Sequence, residues 1–220
     1  MAKIFALLAE PTLQTLYMVG LSSLFAILLG LPLGIALALT EKGGLCENRV
    51  AGKALDTFVN VFRSFPFIIL MIILFPLSRL IVGTTIGTTA AIVPLSISAA
   101  PFVGRVVQSA LKEVDRGVIE AAQAMGADVK TIVLKVMIPE ALPSLAAGAT
   151  LTVIAIVGSS AMAGAIGGGG LGDVAIRYGF HRFRSDVLIA AHSYDADNRP
   201  LSTYTFQDIR FLHVLGTIRP

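Results

Sequence analysis

No Asp, Glu, Lys or Arg occurs between residues 11 and 40, 80 and 104, or 141 and 172. Each run is longer than the roughly 20 residues that an apolar helix needs to cross the hydrocarbon core of a bilayer. Inside that core no water pairs with backbone N–H and C=O groups, so such a segment must satisfy them within itself, as a helix does. With 55% hydrophobic and 14% charged residues over 220 positions, the whole chain is also too apolar for a soluble domain of its size. The fold class that follows is an all-α integral membrane protein, multi-pass and in contact with membrane lipid.

Several function classes are excluded by the same pattern. The 17 Lys and Arg outnumber the 14 Asp and Glu, but they are dispersed among connections and helix ends, so no nucleic-acid partner is expected. Cys46 is the only cysteine, which rules out an intrachain disulfide and leaves no Cys/His cluster for a metal. The uncharged runs contain no His, Asp or Glu, and neither a His-Glu-x-x-His helix nor a Gly-x-Ser-x-Gly elbow is present, so catalysis by this chain is not expected.

Four spans are expected, over residues 12–39, 58–77, about 89–105 and 142–166. In the first, Gly20, Gly30 and Gly34 offer close helix approach and Pro32 a kink. Arg63, near the start of the second, is expected to snorkel toward the boundary. The glycine-rich turn 167–172 reads as a flexible connection, because no Lys-Ser/Thr follows it to make a phosphate cradle. Basic residues set the orientation: Lys42, Arg49, Lys53, Arg105, Lys112, Arg116, Lys130 and Lys135 outnumber Lys3, Arg79, Arg177, Arg182 and Arg184. That bias places segment 105–140 in the cytoplasm and the N-terminus outside.

Segment 105–140 carries the most information. Leu111, Val114, Val118, Ala122 and Met125 recur at helical spacing up to Gly126, a C′ glycine, and a second helix starts at the N-cap Asp128. Its apolar face is Val129, Ile132, Val133 and Val136, and Pro139 is expected to stop it. Two short amphipathic helices hinged at a glycine therefore project from the membrane, and their apolar faces are covered either by the chain's own spans or by a partner.

Glu120-Ala121-Ala122, Gly126 four positions further on, and Val136-Met137-Ile138-Pro139 closely resemble the EAA signature of ABC importer permeases, which usually ends in Ile-x-Leu-Pro. The stretches 60–67, 82–101, 140–143 and 164–172 resemble the methionine-importer permeases within that family, and the likeness covers roughly 12–190. The resemblance implies a homodimer of permease subunits in the bacterial inner (cytoplasmic) membrane. It implies two cytoplasmic ATPase subunits that bind the ATP, no cofactor in this chain, and an external substrate-binding protein that delivers methionine. Another amino acid or small solute, for example a phosphonate, is the alternative cargo, and a non-transporting membrane protein is the alternative if the altered C-terminus abolishes activity.

By that resemblance the helix bearing Glu120, Ala121, Ala122 and Gly126 docks in a groove of the ATPase. Small side chains at 121 and 122 allow close approach, Gly126 allows the turn, Glu120 caps or pairs at the rim, and Val136, Ile138 and Pro139 complete the signature. Met162, among small residues near the outer end of the fourth span, is a candidate gate plug. The only polar groups on offer along a substrate path are hydroxyls, those of Ser96, Ser98, Thr150, Thr152, Ser159 and Ser160.

Past Ala190 the resemblance implies a fifth span, yet residues 191–220 carry charges and turn formers where about 20 apolar residues are required. The expected organisation is a permease domain over 1–190 and an atypical tail over 191–220. That tail reflects either a shifted reading frame near codon 190 or a four-span variant whose tail, with Phe206, Ile209, Phe211, Leu212 and Leu215, lies at the membrane interface or is disordered.

Overall fold

The computed structural model describes residues 2–180, and the expected fifth span and tail lie outside the described residues. The described chain is helical, in the order α1 (Ala2–Thr40), α2 (Arg49–Ser64), α3 (Phe67–Val82), α4 (Thr88–Lys112), α5 (Arg116–Ala124), α6 (Val129–Ile132), α7 (Ile138–Glu140), α8 (Leu142–Ala163) and α9 (Gly170–Val174). Wide π turns connect α6 to α7 (Val133–Met137) and follow α8 (Gly164–Gly168) and α9 (Ala175–Phe180).

Three described helices are long and apolar enough to cross a membrane singly: Leu7–Thr40 within α1, Thr88–Lys112, and Leu142–Gly168. These are the first, third and fourth expected spans. The second differs. Residues 58–77 straddle a break between α2 and α3, whose axes differ by 106°. Proline disfavours the α conformation at the residue before it, here Phe65. Pro66 then begins α3 by accepting the amides of Ile69 and Leu70 at 3.0 and 3.1 Å. Arg63 consequently sits exposed in the last turn of the polar helix α2, just before the break.

By contact the chain divides into two compact units. The described part of the first comprises residues 2–26, 65–99 and 152–180, and it is organised around the glycine-rich turn. The backbone leaves the helix at Ile166 (φ −114°) and Gly167 (φ 94°), conformations that turn the chain back on itself. Gly164 and Gly172 make the return possible, since a Cβ would fall 2.5 Å from the Asp173 amide nitrogen at one and 2.4 Å from the Ala161 oxygen at the other. The turn is not a loose connection. Gly170 and Leu171 donate their amides to Gln14 Oε1 and Thr15 Oγ1 on α1, both at 2.9 Å, and Gly167 O accepts the Gly87 amide at 2.9 Å. Below it Leu8, Leu171 and Val174 form a small buried cluster.

The described part of the second unit comprises residues 27–64 and 100–151. Gly30 and Gly34 bring α1 against α4: a Cβ would lie 2.4 Å from Val103 Cβ at the former and 2.5 Å from the Gly104 oxygen at the latter. Without a hydrophobic drive between helices in lipid, such small-residue contacts are what let two spans pack closely. Gly20, by contrast, faces open space.

Candidate functional site

The site is built on α5. Three residues past the end of α4, Asp115 takes the N-cap position and accepts the Gly117 amide through its side chain at 2.6 Å, so the expected single helix through 111–125 is two. The intervening link is anchored: Val114 is buried, and the Glu113 carboxylate accepts the Ser144 hydroxyl. At the far end the Gly126 amide donates to Gln123 O at 2.9 Å and the Ala127 amide to Ala122 O at 3.1 Å. With Gly126 at φ 82°, this is the paired-bond C-terminal motif expected of a C′ glycine.

Of the signature residues on α5, Glu120 and Ala121 are exposed, while Ala122 is buried at 4% exposure. It lies on the inner face of α5, where a small side chain brings the helix close to the rest of its own unit. Met125 is 83% exposed beside the turn. Asp128 has the extended backbone of an N-cap without a close side-chain bond to the first-turn amides, and the Thr131 hydroxyl holds its carboxyl below the usual carboxylate range.

Pro139 does not stop the second helix. Ile138 donates to Val133 O, five residues back, so the ladder widens just where a proline ring would collide with a carbonyl in an α-helix. The chain continues helically, with the Ala141 amide on Met137 O at 2.9 Å and the Leu145 amide on Ala141 O at 2.9 Å. Val136 and Ile138 are half-buried there and Pro139 is exposed. Thus α5 and the helical run from Val129 form an angle around Gly126, and the run leads through one turn residue, Ala141, into a span.

A polar network that sequence reasoning missed lies directly before α5. Arg105, Gln108 and Lys112 occupy one stripe of α4 at i, i+3 and i+7. Arg105 pairs with Asp56 at 2.6 Å and donates to Asn60 Oδ1 at 2.8 Å on α2, and to Gln108 Oε1 at 2.9 Å. Gln108 donates to Glu41 Oε2 at 2.8 Å, and Lys112 pairs with the same oxygen at 2.6 Å, just past the end of α1. Two cations meet two carboxylates, so the charge is balanced. Beside it a cavity of about 250 Å³ is lined by residues that include Glu41, Lys112, Arg116 and Glu120.

In the first unit Met162 is 48% exposed near the end of α8. The hydroxyls proposed for a substrate path are largely spent on their own helices: Ser96 donates to Ile92 O, Ser98 to Leu95 O, Ser159 to Ala155 O and Ser160 to Val157 O. Thr150 in the second unit likewise donates to Ala146 O. Such bonds make a hydroxyl tolerable at membrane depth and explain these residues without a substrate.

The model of the family described as binding-protein-dependent transport system inner membrane component matches residues 30–190. The chain belongs to this family. It is therefore a transport permease and not a known enzyme, in line with the resemblance drawn from the EAA signature. Over 185 residues it is 55% identical to the probable D-methionine transport system permease protein of Vibrio cholerae, covering 84% of this chain and 81% of that protein. Over 182 residues it is 49% identical to the methionine import system permease protein of Bacillus subtilis, covering 83% and 82%. A solved structure of the MetNI methionine ABC transporter in inward facing conformations matches with a TM-score of 0.92 at 41% identity, covering 96% of this chain and 98% of that one. An amino acid ABC transporter matches with a TM-score of 0.71 at 20% identity, a likeness of fold.

Proposed function

We propose that this permease is the membrane subunit of a methionine importer, working as a homodimer in the bacterial inner membrane with two cytoplasmic ATPase subunits and an external substrate-binding protein. ATP is bound by the ATPase, and this chain contributes no cofactor. Residues 1–190 form the permease domain and 191–220 lie beyond it. Segment 105–140 faces the cytoplasm, and the N-terminus faces outward. The observation that carries the reading is α5: a helix capped at both ends, with Glu120 and Ala121 exposed and Gly126 at φ 82°, placed where the EAA signature falls. Relatives named for methionine transport supply the cargo.

In operation, α5 docks in a groove of the ATPase with Ala121 permitting close approach and Glu120 pairing at the rim. Gly126 sets the angle to the helix carrying Val136, Ile138 and Pro139, which continues into a span and carries the displacement onward. Closure of the ATPase dimer on ATP draws the two α5 helices together and shifts the spans toward the outward-facing state, a rigid-body mode of alternating access. Met162 serves as a gate plug.

The test is labelled methionine uptake in cells lacking their own importer, with this chain or Gly126→Asp co-expressed with the ATPase and binding protein. Loss of uptake in the variant at unchanged membrane level supports the docking role. Equal uptake by both removes it, and no methionine uptake by either, with a working control, removes the cargo.

A further inference from the structure

The link from α4 to α5 is short, capped and anchored, so motion of α5 passes to the inner end of α4. What α4 holds at that end decides what else must move. Its stripe of Arg105, Gln108 and Lys112 is bonded to α2 through Asp56 and Asn60 and to the end of α1 through Glu41. Immediately before Arg105 on the same helix, Val103 and Gly104 sit against Gly30 and Gly34 of α1. Within the second unit, the end of α1, α2 and the end of α4 are thus joined by charge-balanced bonds and by backbone contact, and α5 follows α4 through the link.

We infer that Arg105 is a positioning residue of transport: through Asp56, Asn60 and the Gln108–Glu41–Lys112 bonds it makes α2 and the parts of α1 and α4 in the second unit move as one body with α5. This rests on the proposed role of α5 and goes beyond it, because it assigns the transmission step to residues outside the EAA signature. Arginine suits the task. Its planar fork reaches Asp56, Asn60 and Gln108 at once, at 2.6, 2.8 and 2.9 Å, where a lysine presents one compact charge on a flexible stem. Its side chain is 22% exposed and that of Glu41 26%, against 49% for Asp56 and 52% for Lys112, so one end of each ion pair is shielded from competing water and salt.

The test uses the reconstituted complex of permease, ATPase and binding protein. Spin labels are placed at Val61→Cys on α2 and Val118→Cys on α5, both exposed positions, in a Cys46→Ser background. On adding ATP the distance between the two copies of position 118 shortens, while the distance from 61 to 118 within a subunit stays fixed. In Arg105→Ala the 61–118 distance becomes nucleotide-dependent, and uptake per ATP hydrolysed falls about fivefold or more, the low end of an allosteric coupling. Arg105→Lys behaves like Arg105→Ala, and Arg105→Asp with Asp56→Arg restores at least half of the lost coupling. If Arg105→Ala fails to assemble, Glu41→Gln opens the other end of the network at constant size and is read the same way.

A 61–118 distance that changes with ATP in the unsubstituted protein overturns the inference, as does Arg105→Ala with a fixed distance and normal uptake per ATP. A 118–118 distance that ignores ATP in the unsubstituted protein overturns the proposed docking role of α5 and this inference with it.

Discussion

Asp115 and Gly126 bound α5 by different physics. Asp115 supplies an acceptor for an amide that has no partner within the helix, whereas Gly126 supplies a backbone conformation that a side chain resists. Asp115→Ala is therefore expected to cost about 1 kcal/mol of local stability, seen as faster hydrogen exchange confined to the amides of residues 116–118. Both ends were legible in the sequence to different degrees. Gly126 announced itself by ending an apolar repeat, while Asp115 was hidden inside one, because Leu111, Val114 and Val118 kept the helical period across the break. Ala122 was legible as a helix position but not as a buried one. A small residue fits an inner face and a docking face equally well, and only the fold separates them.

Among the helices, the contact of α1 with α4 is set by backbone approach. Placing a Cβ at Gly34 puts it 2.5 Å from the Gly104 oxygen, an atom that cannot step aside. Gly34→Ala is expected to destabilise the purified permease by about 1–3 kcal/mol, the range for overpacking. Gly20→Ala meets nothing and gains helix propensity of about 0.5–1 kcal/mol. Thermal unfolding of the two variants in one detergent checks both signs, and equal melting temperatures would remove the close-contact argument. The Gly30/Gly34 spacing was readable in advance, its partner helix was not. Likewise the uncharged runs gave three spans directly, whereas the α2–α3 break was obscured by an apolar stretch that continues across Phe65-Pro66. Pro139 misled in the opposite direction: a proline stops a regular α-helix, but the π turn before it removes the clash. The Arg105 network lay beyond sequence reasoning because its partners on different helices are 45 to 71 positions apart and no periodicity links the stripe on α4 to them.

For the molecule as a working transporter, the sharpest question is whether Met162 blocks the path. Replacing it by Ala shortens a half-exposed, flexible side chain without introducing charge. Met162→Ala is expected to raise ATP hydrolysis in the absence of substrate and to lower uptake per ATP, by about fivefold together. Unchanged values for both would leave Met162 as packing. The glycine-rich turn that follows it carries a different consequence. Its amides find their acceptors on Gln14 and Thr15, 156 positions earlier in the chain. At a synthesis rate of about 5–20 residues per second, α1 must wait on the order of ten seconds, already inserted, before the ribosome delivers its partners. The first unit can close only after residue 171 has been made, so a pause or truncation before residue 170 leaves α1 with the Gln14 Oε1 acceptor unmatched.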